Sequence, residues 1–132
     1  MLKQIIQILI GMFLAIGVTH APALALTVTD ATKPIVVQAK NPNFQVVLKA
    51  NATTGFQWFL LPKLSDLSQI ELVSYHYIAS TTALMGAPGE AVFTFRIKSL
   101  AFVMPQRFQL AFSYQRPWEI ETNPPTYFTI FT

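Results

Sequence analysis

The sequence of 132 residues contains no cysteine. A disulfide framework, a cysteine nucleophile and a cysteine-ligated metal are therefore excluded at once. Histidine is almost as scarce, with two residues in the sequence. His20 falls in an apolar N-terminal segment and His76 in a predicted strand. Since no cluster of residues has metal-ligand spacing, we expect no metal site and no other cofactor.

Strong charge and long helices are also missing. Nine Lys and Arg residues against six Asp and Glu residues give a net charge of +3, without a basic cluster. This balance argues against a nucleic-acid partner. The sequence shows no helical periodicity of useful length, no phosphate loop and no nucleophile elbow. We therefore predict no catalytic residue and no enzymatic activity.

The first 25 residues form a segment of their own. Lys3 gives it a positive start, residues 5–18 are almost all apolar, and Ala-Leu-Ala at 23–25 suits a signal peptidase. Because a bilayer span needs about 20 apolar residues, the run predicts a cleaved signal peptide better than an uncleaved membrane anchor. With cleavage after Ala25, the mature domain is residues 26–132. We expect it to be secreted or periplasmic, monomeric, and without a membrane partner after cleavage.

The mature chain is instead rich in alternating patterns. In 107–115, for example, large apolar residues occupy every second position. This period of two is typical of half-buried strands. The pattern and its punctuation by Pro and Gly predict a short helical turn at 65–69 and strands near 26–30, 34–39, 44–50, 56–61, 70–79, 90–98, 107–115 and 126–131.

Eight short strands in one domain predict an all-β fold. The expected architecture is an immunoglobulin-like β-sandwich of seven to eight strands with Greek-key connections and no disulfide. Trp58 fits the large aromatic residue that such sandwiches bury between their sheets.

Three loops combine glycine with residues that a simple connector does not need. They read NATTGF at 51–56, LMGAPGE at 84–90 and YQRPWE at 114–119. Each glycine or proline could merely shape a turn, and Trp118 could belong to the core. However, in a Greek-key sandwich the B–C, D–E and F–G loops gather at one end. Apolar side chains gathered there indicate a binding surface.

Taken together, the three loops resemble those of the chagasin family, inhibitors of papain-like cysteine peptidases. That family carries N-P-T-T-G-[YF], G-x-G-G and R-P-[WF] loops in this order, where this sequence has NATTGF, GAPG and RPW. Two positions depart from the pattern. Ala52 replaces a proline, which removes a fixed φ angle, and Pro88 replaces a glycine, which removes a backbone donor.

The resemblance implies a reversible, tight-binding inhibitor that closes the active-site cleft of a papain-like cysteine peptidase with three loops. No residue of the inhibitor would perform chemistry. The alternative is an exported immunoglobulin-like binding or adhesion module with another ligand, which the same loop tips would serve. The protease-binding residues that the resemblance implies are Asn51, Thr53, Thr54, Gly55, Phe56, Leu84, Met85, Gly86, Gly89, Arg116, Pro117 and Trp118.

Overall fold

The computed structural model describes residues 25–82, 86–120 and 123–132. Within these residues, no helix is long and apolar enough to cross a membrane. The predicted signal peptide, apart from Ala25, lies outside the described residues. The strands β1 to β8 are Leu26–Val28, Ile35–Val36, Asn43–Ala50, Gln57–Leu60, Ile70–Ile78, Gly89–Ile97, Arg107–Gln115 and Thr126–Phe131. The short 3-10 helices η1 to η3 are Ala52–Thr54, Pro62–Leu64 and Ser99–Phe102.

The strands form two four-stranded sheets. The first has the order β1-β3-β6-β5 and the second the order β2-β8-β7-β4. β1 and β2 join their sheets as parallel edge strands, whereas the other pairs are antiparallel. This topology confirms the predicted immunoglobulin-like sandwich, with β3 to β8 in the positions of strands B to G.

Phenylalanine dominates the core between the sheets. The Phe112 ring of β7 meets the rings of Phe93, Phe95 and Phe128 edge-on, with centroid distances of 5.0, 6.2 and 5.6 Å. Such pairs stabilise a core by about 0.5–1.5 kcal/mol each beyond the area that they bury. The main cluster of buried apolar side chains is drawn entirely from residues 35–130. The described segment from residue 25 onward therefore holds both sheets and this core.

The edge strands β4 and β5 are unequal in length, with four and nine residues. In β5, only Ile70 is buried. A bulge between Leu72 and Ser74 interrupts the pairing of β5 with β6. A bulge of this kind bends an edge strand and discourages pairing with another chain.

Trp58 is less buried than predicted. It lies on the edge strand β4 and is only partly buried, rather than enclosed between the sheets. Its ring packs on Tyr114 at a centroid distance of 4.9 Å, and its Nε1 donates to the Lys49 carbonyl at 2.9 Å.

Two other local predictions need correction. The first two strands are shorter than predicted, because Asp30 Oδ1 accepts from Thr32 N at 2.9 Å and closes a turn between them. The helical turn predicted at 65–69 lies earlier, at Pro62–Leu64. Ser65 is instead engaged with β7, where its Oγ accepts from Ala111 N at 2.9 Å.

Strand direction defines two ends of the sandwich. One end, here called the rim, carries the β3–β4, β5–β6 and β7–β8 loops, whose described residues are 51–56, 79–82 with 86–88, and 116–120 with 123–125. The other end, here called the base, carries the β2–β3, β4–β5 and β6–β7 loops, residues 37–42, 61–69 and 98–106. Nine-residue strands separate rim and base by about 30 Å.

Candidate functional site

The β3–β4 loop is one turn of 3-10 helix capped by Asn51. Asn51 Oδ1 accepts from Thr53 N at 3.2 Å and from Thr53 Oγ1 at 2.6 Å, while Thr54 Oγ1 donates to the Asn51 carbonyl at 2.8 Å. Gly55 ends the turn with φ at +78°, a conformation that favours glycine. Both threonine hydroxyl protons are therefore used inside the loop, and the exposed hydroxyls offer lone pairs to a partner.

Side-chain hydrogen bonds join this loop to the other two. Asn51 Nδ2 donates to the Gly86 carbonyl of the β5–β6 loop at 3.1 Å. Arg116 Nε, at the start of the β7–β8 loop, donates to the Thr54 carbonyl at 3.2 Å. From below, the Tyr114 hydroxyl accepts from Asn51 N at 3.1 Å. The predicted convergence of the three loops at one end is thus a feature of the structure.

Arg116 is the central brace of the rim. Besides its bond to Thr54, its Nη1 lies 3.0 Å from Glu119 Oε1. Its guanidinium carbon also lies 4.7 Å from the centroid of the Phe56 ring. A cation over an aromatic face is attracted to it. The contact between Arg116 and Phe56 therefore holds the β7–β8 loop against the β3–β4 loop.

Trp118 is not a core residue. Its side chain is 73% exposed. A Cβ atom at Gly55 would lie 3.2 Å from Trp118 Cη2, so the indole rests against the glycine of the β3–β4 loop. Ile120, which the sequence analysis missed, is 88% exposed just beyond it. The alternating Trp-x-Ile pattern was the signal that could have indicated it, and Pro117 beside them is also exposed.

The glycine-rich loop is described only in part. Leu84 and Met85 lie outside the described residues. Gly86 is exposed with φ at +80° and has open space around it. Gly89 is buried in β6, paired with Ala50, and the Tyr77 ring occupies the place where its Cβ would be. Gly89 therefore shapes the floor of the rim, and its direct contact with a peptidase stays a prediction.

The rim as a whole brings together most of the predicted site residues on one braced surface. In the part of the chain that the structure describes, no group of three or more His, Asp or Glu side chains could hold a metal ion. The surface combines an exposed indole with hydrogen-bonded loops, and its chemistry suits recognition of another molecule.

Comparison with known proteins points to one family. The model for the chagasin family of peptidase inhibitors, I42, matches residues 38–131. The comparison with curated protein sequences finds no match.

Two solved structures share the fold. One is the cysteine protease inhibitor EhICP2 from Entamoeba histolytica, 15% identical, with a TM-score of 0.60 over 80% of this chain and 93% of that chain. The other is the solution structure of Amebosin, 18% identical, with a TM-score of 0.55 over 83% of this chain and 96% of that chain.

The family match covers strands β3 to β8 and all three rim loops. It agrees with the motifs NATTGF, GAPG and RPW and with the sandwich that carries them. The chain therefore belongs to the chagasin family of peptidase inhibitors and is an inhibitor rather than an enzyme.

Proposed function

We propose that this chain is a reversible, tight-binding inhibitor of papain-like cysteine peptidases that occludes the active-site cleft with its three rim loops. The observation that carries the proposal is the exposed Trp118 indole, seated on Gly55 and flanked by loops that Asn51 and Arg116 tie together. EhICP2, a protein of the same fold, is described as a cysteine protease inhibitor, which supports this class of target.

The rim would bind mainly because it is organised in advance. Its cross-loop hydrogen bonds fix the loops before contact, so less conformational entropy is lost on binding. Thr53 and Thr54 are stiff at χ1, and Gly55 lets the backbone come close to the catalytic centre. Trp118 would supply the largest share of the affinity, since an exposed tryptophan buries a large area with few torsions to freeze. About 800 Å² per partner is a normal size for such an interface.

The two departures from the family motifs have different consequences. Ala52 lacks the ring of proline, but the turn is closed without it, because Gly55 N donates to the Ala52 carbonyl at 3.2 Å. Pro88 is exposed and cannot donate a hydrogen bond to a peptidase. The glycine-rich loop would therefore contribute contact through Gly86 and the predicted residues Leu84 and Met85.

We also propose that the inhibitor acts as a secreted or periplasmic monomer after cleavage behind Ala25. β1 begins at Leu26, so cleavage there leaves both sheets whole. N-terminal sequencing of the exported protein tests the cleavage site, and size-exclusion chromatography with light scattering tests the monomer.

The main experiment is a titration against papain-like cysteine peptidases and, in parallel, serine peptidases of similar specificity. We expect stoichiometric, reversible inhibition of the cysteine enzymes and none of the serine enzymes. Lack of inhibition of every cysteine enzyme in the panel would contradict the proposal.

Thr54→Arg tests whether the β3–β4 loop enters the cleft. Thr54 is exposed on η1, so the variant should fold normally yet lose about 2 kcal/mol or more of binding free energy through bulk and charge. The matched control is Ser99→Arg, on the exposed 3-10 helix η3 at the base. Equal inhibition by the Thr54 variant and the wild type would show that this loop is not the part that enters.

A further inference from the structure

The base carries an exposed apolar cluster for which the inhibitor function has no use. Leu100, Val103 and Met104 are 68%, 74% and 62% exposed. Ala101 of η3 is buried and Phe102 packs against the core. These two residues hold η3, while Leu100 of the helix and Val103 and Met104, which follow it, form an apolar tip. Clustered apolar exposure of this kind marks an interaction surface.

Basic side chains lie beside the apolar tip. Arg96 and Lys98 line, together with Leu100, one concavity of about 550 Å³. In the described part of the chain, the ion pairs are those of Asp30, Glu90 and Glu119, none of which lies at the base. The basic residues of the base and its adjoining strand ends, without an ion pair among the described residues, are Lys40, Lys63, Arg96, Lys98 and Arg107.

Among the described residues, the acidic residues at this end are Asp66 and Glu71. Asp66 Oδ2 is occupied as the acceptor of a 2.8 Å hydrogen bond from Gln109 N. Glu71 faces Arg96 across the β5–β6 pair and lines the same concavity. Positive charge is therefore in excess around the apolar tip, whereas at the rim Lys49 and Arg116 are each paired with a carboxylate.

The chain also enters the sandwich at the base. β1 runs parallel to β3, with Leu26 opposite Phe44. The next pair in β3 toward the base is Asn43 with Arg96. The described chain therefore begins at the same end as the basic, apolar surface.

We propose that the base is a docking surface for an anionic lipid bilayer. Leu100, Val103 and Met104 enter the interfacial region, where apolar side chains are buried. The surrounding lysines and arginines contact the headgroup phosphates, which attract each such charge near the surface. The charge complementarity favours an anionic lipid surface, because the five basic residues at this end outnumber the acidic residues Asp66 and Glu71 among the described residues.

Docking in this orientation leaves the rim about 30 Å from the bilayer and free to meet a peptidase. The proposal revises the expectation that the domain has no membrane partner after signal cleavage. It does not rest on the proposed target class, since it depends only on residues of the base.

The test is co-sedimentation of residues 25–132, which hold both sheets and the main core, with lipid vesicles at near-physiological salt. One vesicle is pure phosphatidylcholine, and the other contains about one third phosphatidylglycerol to give it a negative surface. We expect the protein to sediment with the anionic vesicles only, and to be released as salt is raised. Absence of binding to the anionic vesicles, or equal binding to both, would overturn the proposal.

Variants assign the binding to the base. Arg96→Gln with Lys98→Gln should weaken vesicle affinity by about 30-fold. Leu100→Ser with Val103→Ser and Met104→Ser should weaken it by more than about tenfold. Both variants alter exposed side chains, so thermal unfolding and peptidase inhibition should stay as in the wild type.

The matched controls are Lys49→Gln and Trp118→Ser at the rim, which should bind vesicles like the wild type. Loss of vesicle binding in the Trp118 variant alone would show that the indole, not the base, inserts. A dimer that the Leu100 triple variant abolishes, without vesicle binding by the wild type, would assign the base to a second copy instead. Either result would overturn the proposal.

Discussion

The two ends of the sandwich both expose apolar side chains, but they hold their loops in different ways. At the rim, the cross-loop hydrogen bonds come from the side chains of Asn51 and Arg116. At the base, backbone donors act beside side chains. Lys98 N donates to the Gln69 carbonyl at 2.8 Å and Ile97 N to the Pro42 carbonyl at 2.9 Å, while Lys98 Nζ donates to the Ser68 carbonyl at 3.2 Å.

This difference explains why one end has a sequence signature and the other does not. A side-chain hydrogen bond across two loops requires a particular residue at a particular position. The rim loops are therefore recognisable in the sequence as short motifs. A backbone hydrogen bond accepts almost any residue, so the loops that Lys98 N and Ile97 N join at the base need no motif at those positions. Substitutions at the rim should therefore change inhibition, and substitutions in the braces of the base should change stability alone.

The largest contrast is expected for exposed apolar residues at the two ends. Trp118→Ala should weaken inhibition by about 2–4 kcal/mol, because it removes the residue with the largest contact area. Leu100→Ala, at a similarly exposed position of the base, should leave the inhibition constant unchanged. Both should keep the wild-type melting temperature. A large loss of thermal stability in the Trp118 variant would mean that the indole is part of the core.

Two glycines with the same backbone conformation allow a finer test within the rim. Gly55→Ala and Gly86→Ala each place a Cβ at a positive φ angle, which should cost about 1–2 kcal/mol of unfolding free energy. Only the Cβ at Gly55 would crowd Trp118, at 3.2 Å. The inhibitory affinity of the Gly55 variant should therefore be about tenfold lower than that of the wild type. The affinity of the Gly86 variant should fall by less. Equal losses in the two would show that the indole does not depend on Gly55.

One brace at each end can be removed with the same substitution. Asn51→Ala removes the cap of η1 and the bond to Gly86, and Ser65→Ala removes a partner of Ala111 N at the base. Each should lower the free energy of unfolding by about 1 kcal/mol in chemical denaturation. Only Asn51→Ala should also weaken inhibition. If Ser65→Ala weakens it equally, the two ends are coupled and the contrast between them fails.

The smallest effect should come from a turn that belongs to neither end. The Thr32 hydroxyl and amide donate to Asp30, with Lys33 close by, and together they hold the pKa of that carboxyl below its ordinary value of 3.8. Because the folded-state pKa is lowered, its stabilisation is present above the unfolded-state pKa and is lost as pH falls through the folded-state value.

Thr32→Val removes the hydroxyl donor and should reduce this pH dependence slightly. Denaturation of both proteins between about pH 6 and pH 2 measures it. The difference in stability should be present at the upper end and shrink toward the lower end, with inhibition unaffected. A difference that instead grows as the pH falls would contradict the assignment to Asp30.

The fold was largely predictable because most strands have one buried and one exposed face. The alternation at 107–115 therefore marked β7 closely. The exposure of β5 was not predictable, because its composition, IELVSYHYI, resembles that of a buried strand. Which strand lies at an edge depends on the sheet order, and the partial exposure of Trp58 on β4 has the same origin.

The convergence of the three loops was predictable through their motifs, but the contacts that hold the loops together were not. The hydrogen bond between Asn51 and the Tyr114 hydroxyl joins residues 63 positions apart, and no local pattern indicates it. The same holds for the floor that Tyr77 forms beneath Gly89. Ile120 could have been indicated only by its alternation with Trp118, and the structure shows that it is exposed.

The phenylalanine core has a practical consequence for a protein of this activity. Cysteine peptidases keep their nucleophile only when it is a free thiol, so they work where reductants are present. This scaffold is stabilised by packed phenylalanine rings and contains no cysteine, so it has no disulfide bond that a reductant can break. Dithiothreitol in an assay, or glutathione in a cell, should therefore activate the enzyme and leave its inhibitor folded.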